Sequence, residues 1–167
     1  MKTQSDFLSE TMVNLLNYRI EQEEFSSRLY LSMSLWLTNE GFLGAGKLFK
    51  KFSEEELLHA EKAKEMLLAN GLQPLTPALA KPEQDFKSFP KVIEIGFDHE
   101  KEITRQCYEL TKAAFKEDNF MVAELGLWYT KEQVEELDKF QNLMDRLEAF
   151  GTDSDLLREL DNEMGAM

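Results

Sequence analysis

Two side chains suited to metal binding lie three residues apart in a segment whose apolar residues are otherwise spaced as on the buried face of a helix. At alternating spacings of three and four, the residues of this face are Phe49, Phe52, Glu56, His59, Ala63 and Met66. In an ordinary bundle such a stripe is apolar from end to end. Glu56 and His59 interrupt it on one side of the helix. Because burying both costs free energy unless each has a partner, the pattern predicts a bound cation.

The same interruption recurs on three further segments. Each inward stripe, traced at the same spacing, has a carboxylate near its middle: Leu16, Ile20, Glu23, Ser27, Tyr30, Ser34, Leu37; then Ile93, Gly96, Glu100, Ile103, Cys107, Leu110, Ala114; then Val122, Gly126, Tyr129, Gln133, Glu136, Phe140, Leu143, Leu147. A single Glu of this kind is more simply a solvated residue on a misassigned face. Four at matching heights favour one shared site.

Four carboxylates and one imidazole suit iron. Glu oxygens are hard ligands for ferrous and ferric iron, one carboxylate can bridge two metals, and neutral imidazole is also a ligand. Four negative charges nearly neutralise two divalent ions and leave coordination positions open for dioxygen or water, which indicates a reactive site. His99 stands beside Glu100 and therefore points about 100° away from the stripe, so we expect it at the surface or behind the ligands.

Helix-breaking residues divide the chain into helical segments. All four Pro residues fall between Pro74 and Pro90, and a Gly marks most other breaks. The predicted helices cover roughly residues 5–39, 45–70 (with Gly71 as the C-terminal cap), 91–116, 119–150 and 155–164. The proline-rich linker over 73–89 is long enough to travel the length of a bundle. Residues 1–167 are therefore predicted to form one all-α domain, a four-helix bundle with a long crossover between the second and third helices and a short fifth helix.

Composition excludes several classes of partner. The 32 acidic against 19 basic residues give a formal net charge of −13, so we expect neither nucleic acid nor membrane as a partner. The single Cys107 allows no internal disulfide and no Cys-x-x-Cys metal knot. Residues 1–6 lack an apolar leader, and no run approaches membrane-spanning length, so the expected location is cytoplasmic.

Taken together, the segments at 23–34, 55–60, 98–100 and 128–136 resemble the non-haem bacterial ferritins, and the resemblance spans essentially the whole chain. The general ligand pattern is an established one for ferritin-like di-iron bundles. The resemblance implies a first iron held by Glu23, Glu56 and His59, with Glu56 as the bridge. It implies a second iron held by Glu56, Glu100 and Glu136, with Gln133 close by. It also places Tyr30 beside this ferroxidase centre, where it can supply a hydrogen bond or an electron.

Three further carboxylates match those that bind a third iron together with Glu136. They are Glu55, Glu132 and Glu135. The alternative for these three is a solvated acidic face. On the resemblance, the protein oxidises Fe(II) with dioxygen or hydrogen peroxide and stores ferric oxyhydroxide inside a hollow homo-oligomeric shell of twenty-four copies.

Departures from related families narrow the expected function. Bacterioferritins and rubrerythrins have a second Glu-x-x-His where this chain reads Gln133-Val134-Glu135-Glu136, and one Cys cannot build a rubredoxin module. No Met lies in 53–64 to bind haem between subunits, so no haem is expected. Two alternatives stay open. One is a non-mineralising di-iron oxidoreductase or peroxidase of the rubrerythrin type. The other is a structural bundle whose buried acids pair with bases, disfavoured because no Lys or Arg falls in the middle of any stripe.

Overall fold

The computed structural model describes residues 5–167 and consists of five α-helices over that range, without a strand. The helices are α1 (Glu10–Asn39), α2 (Leu43–Ala69), α3 (Phe89–Lys116), α4 (Phe120–Phe150) and α5 (Ser154–Met164). No helix in the described range is long and apolar enough to cross a membrane. Residues 1–4, on which part of the prediction of no apolar leader rests, lie outside it. The all-α prediction is confirmed.

The largest difference from the predicted boundaries is at the start of α1. This helix begins at Glu10 instead of near Ser5, because the Ser9 side chain accepts the N–H of Met12 at 3.1 Å and caps the first turn. At the far end of α2, Gly71 adopts a positive φ of 71°, as a residue that ends a helix in the left-handed region does. Residues 73–88 then cross without helix to α3.

Helix α1 packs mainly against α2, and α3 mainly against α4, with α1 also contacting α3. Two apolar clusters fill the bundle, one towards each end. One contains Phe49, Phe89 and Phe140, and the other contains Leu16 and Ile103. The level between them is polar, and there the middle residues of all four stripes meet. Every residue of the predicted stripes is buried except Met66, which is partly buried.

Helix α5 docks on the beginning of α2. The N-cap residue of α2, Phe42, offers no side-chain acceptor, but the backbone N–H of Ala45 donates to Asp161 Oδ1 of α5 at 2.7 Å. The two backbones approach so closely that a Cβ on Gly44 would overlap the Asp161 carbonyl group. Helix α5 therefore supplies the cap that the sequence before α2 lacks.

Candidate metal centre

Six polar side chains lie at the level between the two apolar clusters. Their exposed fractions are between 1% and 8%, which places them among the most buried residues of the protein: Glu23, Glu56, His59, Glu100, Gln133 and Glu136. The predicted candidates are thus brought together by four helices. A site built on rigid helices, shielded from water at both ends by apolar clusters, can hold its groups in fixed positions.

The first group consists of Glu23, Glu56 and His59, whose potential ligand atoms all lie within 4.8 Å of one another. His59 Nδ1 is 3.4 Å from Glu56 Oε2 and 3.8 Å from Glu23 Oε2, so this nitrogen faces both carboxylates. The Tyr129 hydroxyl donates to the His59 carbonyl oxygen at 2.7 Å, which ties α4 to the histidine backbone. One cation can be reached by all three side chains.

The second group consists of Glu56, Glu100 and Glu136, again within 4.8 Å. Two neighbours orient Glu100: the Tyr30 hydroxyl donates to Oε1, and Gln133 Nε2 donates to Oε2 at 2.9 Å. Because Glu56 belongs to both groups, it occupies the position of a carboxylate shared by two cations. Tyr30 and Gln133 contact the second group through Glu100.

Without a cation this level of the bundle holds excess negative charge. Burial, followed by the charges of Glu23 and Glu100, raises the pKa of Glu56 well above its usual value. Burial also raises the pKa of Glu100, although hydrogen bonds from Tyr30 and Gln133 oppose the rise, and burial raises the pKa of Glu136 against the attraction of Lys139. Protons therefore occupy some of the oxygens that a cation would take.

One oxygen of Glu23 points toward the space between Glu56 and His59, where a cation could bind. Glu23 Oε2 is buried, faces His59 Nδ1 and accepts no hydrogen bond except from a proton shared with the neighbouring Glu56 carboxyl. An acceptor in the interior with no other donor is costly, and it calls for an unseen partner. A metal ion between Glu23, Glu56 and His59 is a partner that fits this donor set.

No Lys or Arg lies in the middle of any stripe, but two of the four buried acids nevertheless have a base beside them. Arg19, itself only 1% exposed, places Nε 2.7 Å from Glu23 Oε1, and Lys139 Nζ lies 2.9 Å from Glu136 Oε1. Both bases flank the inward stripes, and their long side chains reach around to the acids. The spacings of four and three residues on one helix were the available signal. Within residues 5–167, neither Glu56 nor Glu100 has an ion pair with Lys or Arg, so a purely structural pairing does not account for the centre.

The three carboxylates predicted to hold a third iron lie beside the centre. Glu55, Glu132 and Glu135 line a cavity of about 580 Å³ that His59 and Glu136 also border. They belong to neither of the two groups whose ligand atoms converge. His99 is partly exposed, with Nε2 2.7 Å from Ser26 Oγ, and likewise lies outside both groups.

Comparison with known proteins finds similar sequences and a similar fold. Residues 13–150 match the family model described as Ferritin-like domain. A "Probable bacterial non-heme ferritin-like protein" of Haemophilus influenzae is 35% identical over 95% of this chain and 96% of its own length. The "Bacterial non-heme ferritin" of Escherichia coli O6:H1 is 28% identical over 96% and 97%. The crystal structure of an open pore ferritin from the archaeon Archaeoglobus fulgidus superposes with a TM-score of 0.93 at 31% identity, covering 96% of this chain and 99% of that one.

Proposed function

Because the chain belongs to the ferritin family, we propose that it is an iron-storage ferroxidase of the non-haem bacterial type. It binds Fe(II) at a dinuclear centre within one subunit, oxidises it with dioxygen, and stores the ferric product as an oxyhydroxide mineral. The observation that carries the proposal is the shared position of Glu56 between two groups of buried ligands.

We assign the two irons to the two groups. The first is held by Glu23, Glu56 and His59, and the buried Glu23 Oε2 that faces His59 supports this assignment. The second is held by Glu56, Glu100 and Glu136. Tyr30 and Gln133 hold Glu100 in place by donating hydrogen bonds to its two carboxylate oxygens.

Because Glu56 belongs to both ligand groups, two Fe(II) ions bind next to each other and can react with the same dioxygen molecule. Each Fe(II) gives up one electron, so two adjacent irons reduce one dioxygen molecule by two electrons, and with two protons from water the products are two Fe(III) and one hydrogen peroxide. Hard carboxylate oxygens favour the ferric state more than softer ligands would. Neither apolar cluster offers a competing path for water, so the reaction is confined to the polar level of the bundle.

Storage requires a shell, and we infer a homo-oligomer that for a ferritin comprises twenty-four subunits in the cytoplasm. Large apolar side chains on the outer faces support subunit contacts: Leu31, Leu35, Leu75, Phe120 and Leu127 are each 42% to 68% exposed. The third iron that the family resemblance implies at Glu55, Glu132, Glu135 and Glu136 is not part of this proposal, because Lys139 Nζ lies between Glu55 and Glu136. No part of the proposal requires haem, nucleic acid or a membrane.

Size-exclusion chromatography with light scattering, followed by aerobic Fe(II) additions, tests the proposal. We expect a large shell that retains far more iron per chain than the centre can bind. A small oligomer that oxidises Fe(II) but retains only the few irons of its centre would instead identify the non-mineralising, rubrerythrin-like alternative. Loss of all Fe(II) binding would leave only the structural bundle.

A further inference from the structure

Lys139 connects two helices at the edge of the dinuclear centre. Its Nζ lies 2.9 Å from Glu136 Oε1 on the same helix, one turn earlier, and 3.1 Å from Glu55 Oε2 on α2. These are two of the four carboxylates to which the family resemblance assigns a third iron. The space between them therefore already contains a positive charge, one that belongs to the chain.

The surroundings make this contact more than a surface ion pair. The Lys139 side chain is 35% exposed and that of Glu136 only 5%. The ammonium group also lies 5.4 Å from the centre of the Phe52 ring, which adds a cation–π contact. Lys139 borders the cavity together with Glu132 and Glu135. Partial burial weakens the competition from water, so the ammonium group is held between the two acids.

From this geometry, and resting on the function proposed above, we infer that Lys139 is a tethered cation that takes the place of a third metal ion. A metal binds carboxylate oxygens at about 2.0–2.2 Å, closer than either Lys139 contact, and cannot share the same oxygens with an ammonium group. The centre of this protein therefore binds two metal ions and excludes a third. Glu136 keeps one oxygen for the second iron while Lys139 holds the other.

Glu23, on the opposite side of the centre, resembles Glu136 in that a base contacts only one of its two carboxylate oxygens. Arg19 Nε forms an ion pair with Glu23 Oε1 at 2.7 Å, and the other oxygen, Oε2, faces His59. Glu23 and Glu136 thus each have one Arg or Lys partner and one remaining oxygen, whereas Glu56 and Glu100 have no Lys or Arg partner among the described residues. Arg19 does not border the cavity, but Lys139 does, at the place where a further cation would otherwise bind.

Zn(II) stoichiometry on the assembled protein tests the inference, because Zn(II) occupies such sites without redox chemistry. The variants are Lys139→Met, which removes the charge, and Lys139→Arg, which keeps it. Lys112→Met serves as a matched control, because Lys112 forms an i,i+3 pair with Glu109 on the exposed surface at 2.9 Å. We expect two Zn(II) per chain for wild type, Lys139→Arg and Lys112→Met, and three for Lys139→Met. Anomalous diffraction should place the additional ion between Glu55 and Glu136.

The outcomes separate this inference from the proposed function. Three Zn(II) bound by wild type, or only two bound by a folded and assembled Lys139→Met variant, would overturn the role of Lys139 and leave the dinuclear centre intact. Lys139→Gln, which retains a polar side chain, provides the same comparison if the Met variant fails to assemble. Fewer than two Zn(II) bound by wild type would overturn the dinuclear centre itself, and the inference with it.

Discussion

Glu56 is predicted from the helix periodicity to point inward, and the structure places it in a buried cluster of acidic side chains. Its place on the inward face of α2 follows from the spacing of Phe49, Phe52 and His59, and the structure buries it to 3% exposure between two other acids. The stripe positions could be predicted because helix periodicity fixes which side chains point inward. The bases could not, because Arg19 and Lys139 start on flanking positions and reach the acids through flexible side chains that no periodicity describes.

The raised pKa of Glu56 predicts how the stability of the metal-free protein depends on pH. A folded-state pKa above the unfolded value of about 4.5 means that the folded protein retains a proton that the unfolded chain releases. This contribution to stability is complete below the unfolded pKa and is lost as the pH rises through the folded pKa. Calorimetry should therefore show the melting temperature of metal-free protein falling as the pH rises above about 5.

Glu56→Gln, which is neutral at every pH, should flatten that dependence, and saturating Zn(II) should reduce it in wild type because the metal displaces the protons. Glu54→Gln, at an exposed position of the same helix away from the cavity, serves as the control. A Glu56→Gln variant with the same pH dependence as wild type would show that the proton is held elsewhere.

Replacing Arg19, which is not itself a proposed metal ligand, should strongly lower the stability of the metal-free protein. Arg19→Met leaves Glu23 buried without its base, and breaking a buried pair in this way costs about 3–5 kcal/mol. Calorimetry should show a large loss in the metal-free protein, and a larger recovery with Zn(II) than wild type shows, because the cation then compensates Glu23. The exposed Arg105–Glu102 pair offers a control, since Arg105→Met should cost at most about 1 kcal/mol. Equal losses in the two variants would contradict the role of Arg19.

At the scale of the elements, the sequence predicts the long helices well and the docking of α5 poorly. Pro and Gly residues mark most of the breaks, but the start of α1 depends on which of several polar residues caps it, and Ser9 does so. The residues of α5 were predicted, yet nothing in them indicates that Asp161 caps α2. Contacts between residues 116 positions apart depend on the tertiary structure.

Asp161→Ala tests the connection between α5 and α2. Losing an N-cap acceptor costs about 1 kcal/mol, and here the loss also loosens the docking of α5. Chemical denaturation should show that decrease, and hydrogen exchange should show faster exchange in the first turn of α2, with metal binding retained. Asp155→Ala, at an exposed position in the same helix, is the control. Unchanged exchange at Ala45 in the Asp161 variant would show that the first turn does not rely on α5.

For the whole molecule, the bundle follows from the sequence, whereas the shell does not. Periodicity describes which face of a helix is buried within a subunit but carries no information on how subunits meet. The exposed apolar residues, such as Leu35 at 63% and Phe120 at 68%, become interpretable only with the fold and the family in hand. The inferred number of metal ions per centre likewise cannot be predicted from periodicity, because it depends on a contact between two helices, Lys139 of α4 with Glu55 of α2.

Rapid-mixing absorbance of Fe(II) with dioxygen tests the central claim, a dinuclear centre bridged by Glu56, most directly. In wild type the fast phase of oxidation should saturate at two Fe(II) per chain. In Glu56→Ala the shell should still assemble while the fast phase disappears, because both irons lose a ligand. Glu54→Ala, at an exposed position on α2 that does not border the cavity, should retain the wild-type fast phase. A fast phase in Glu56→Ala equal to that of wild type, or one in wild type that saturates at a single Fe(II) per chain, would contradict the account.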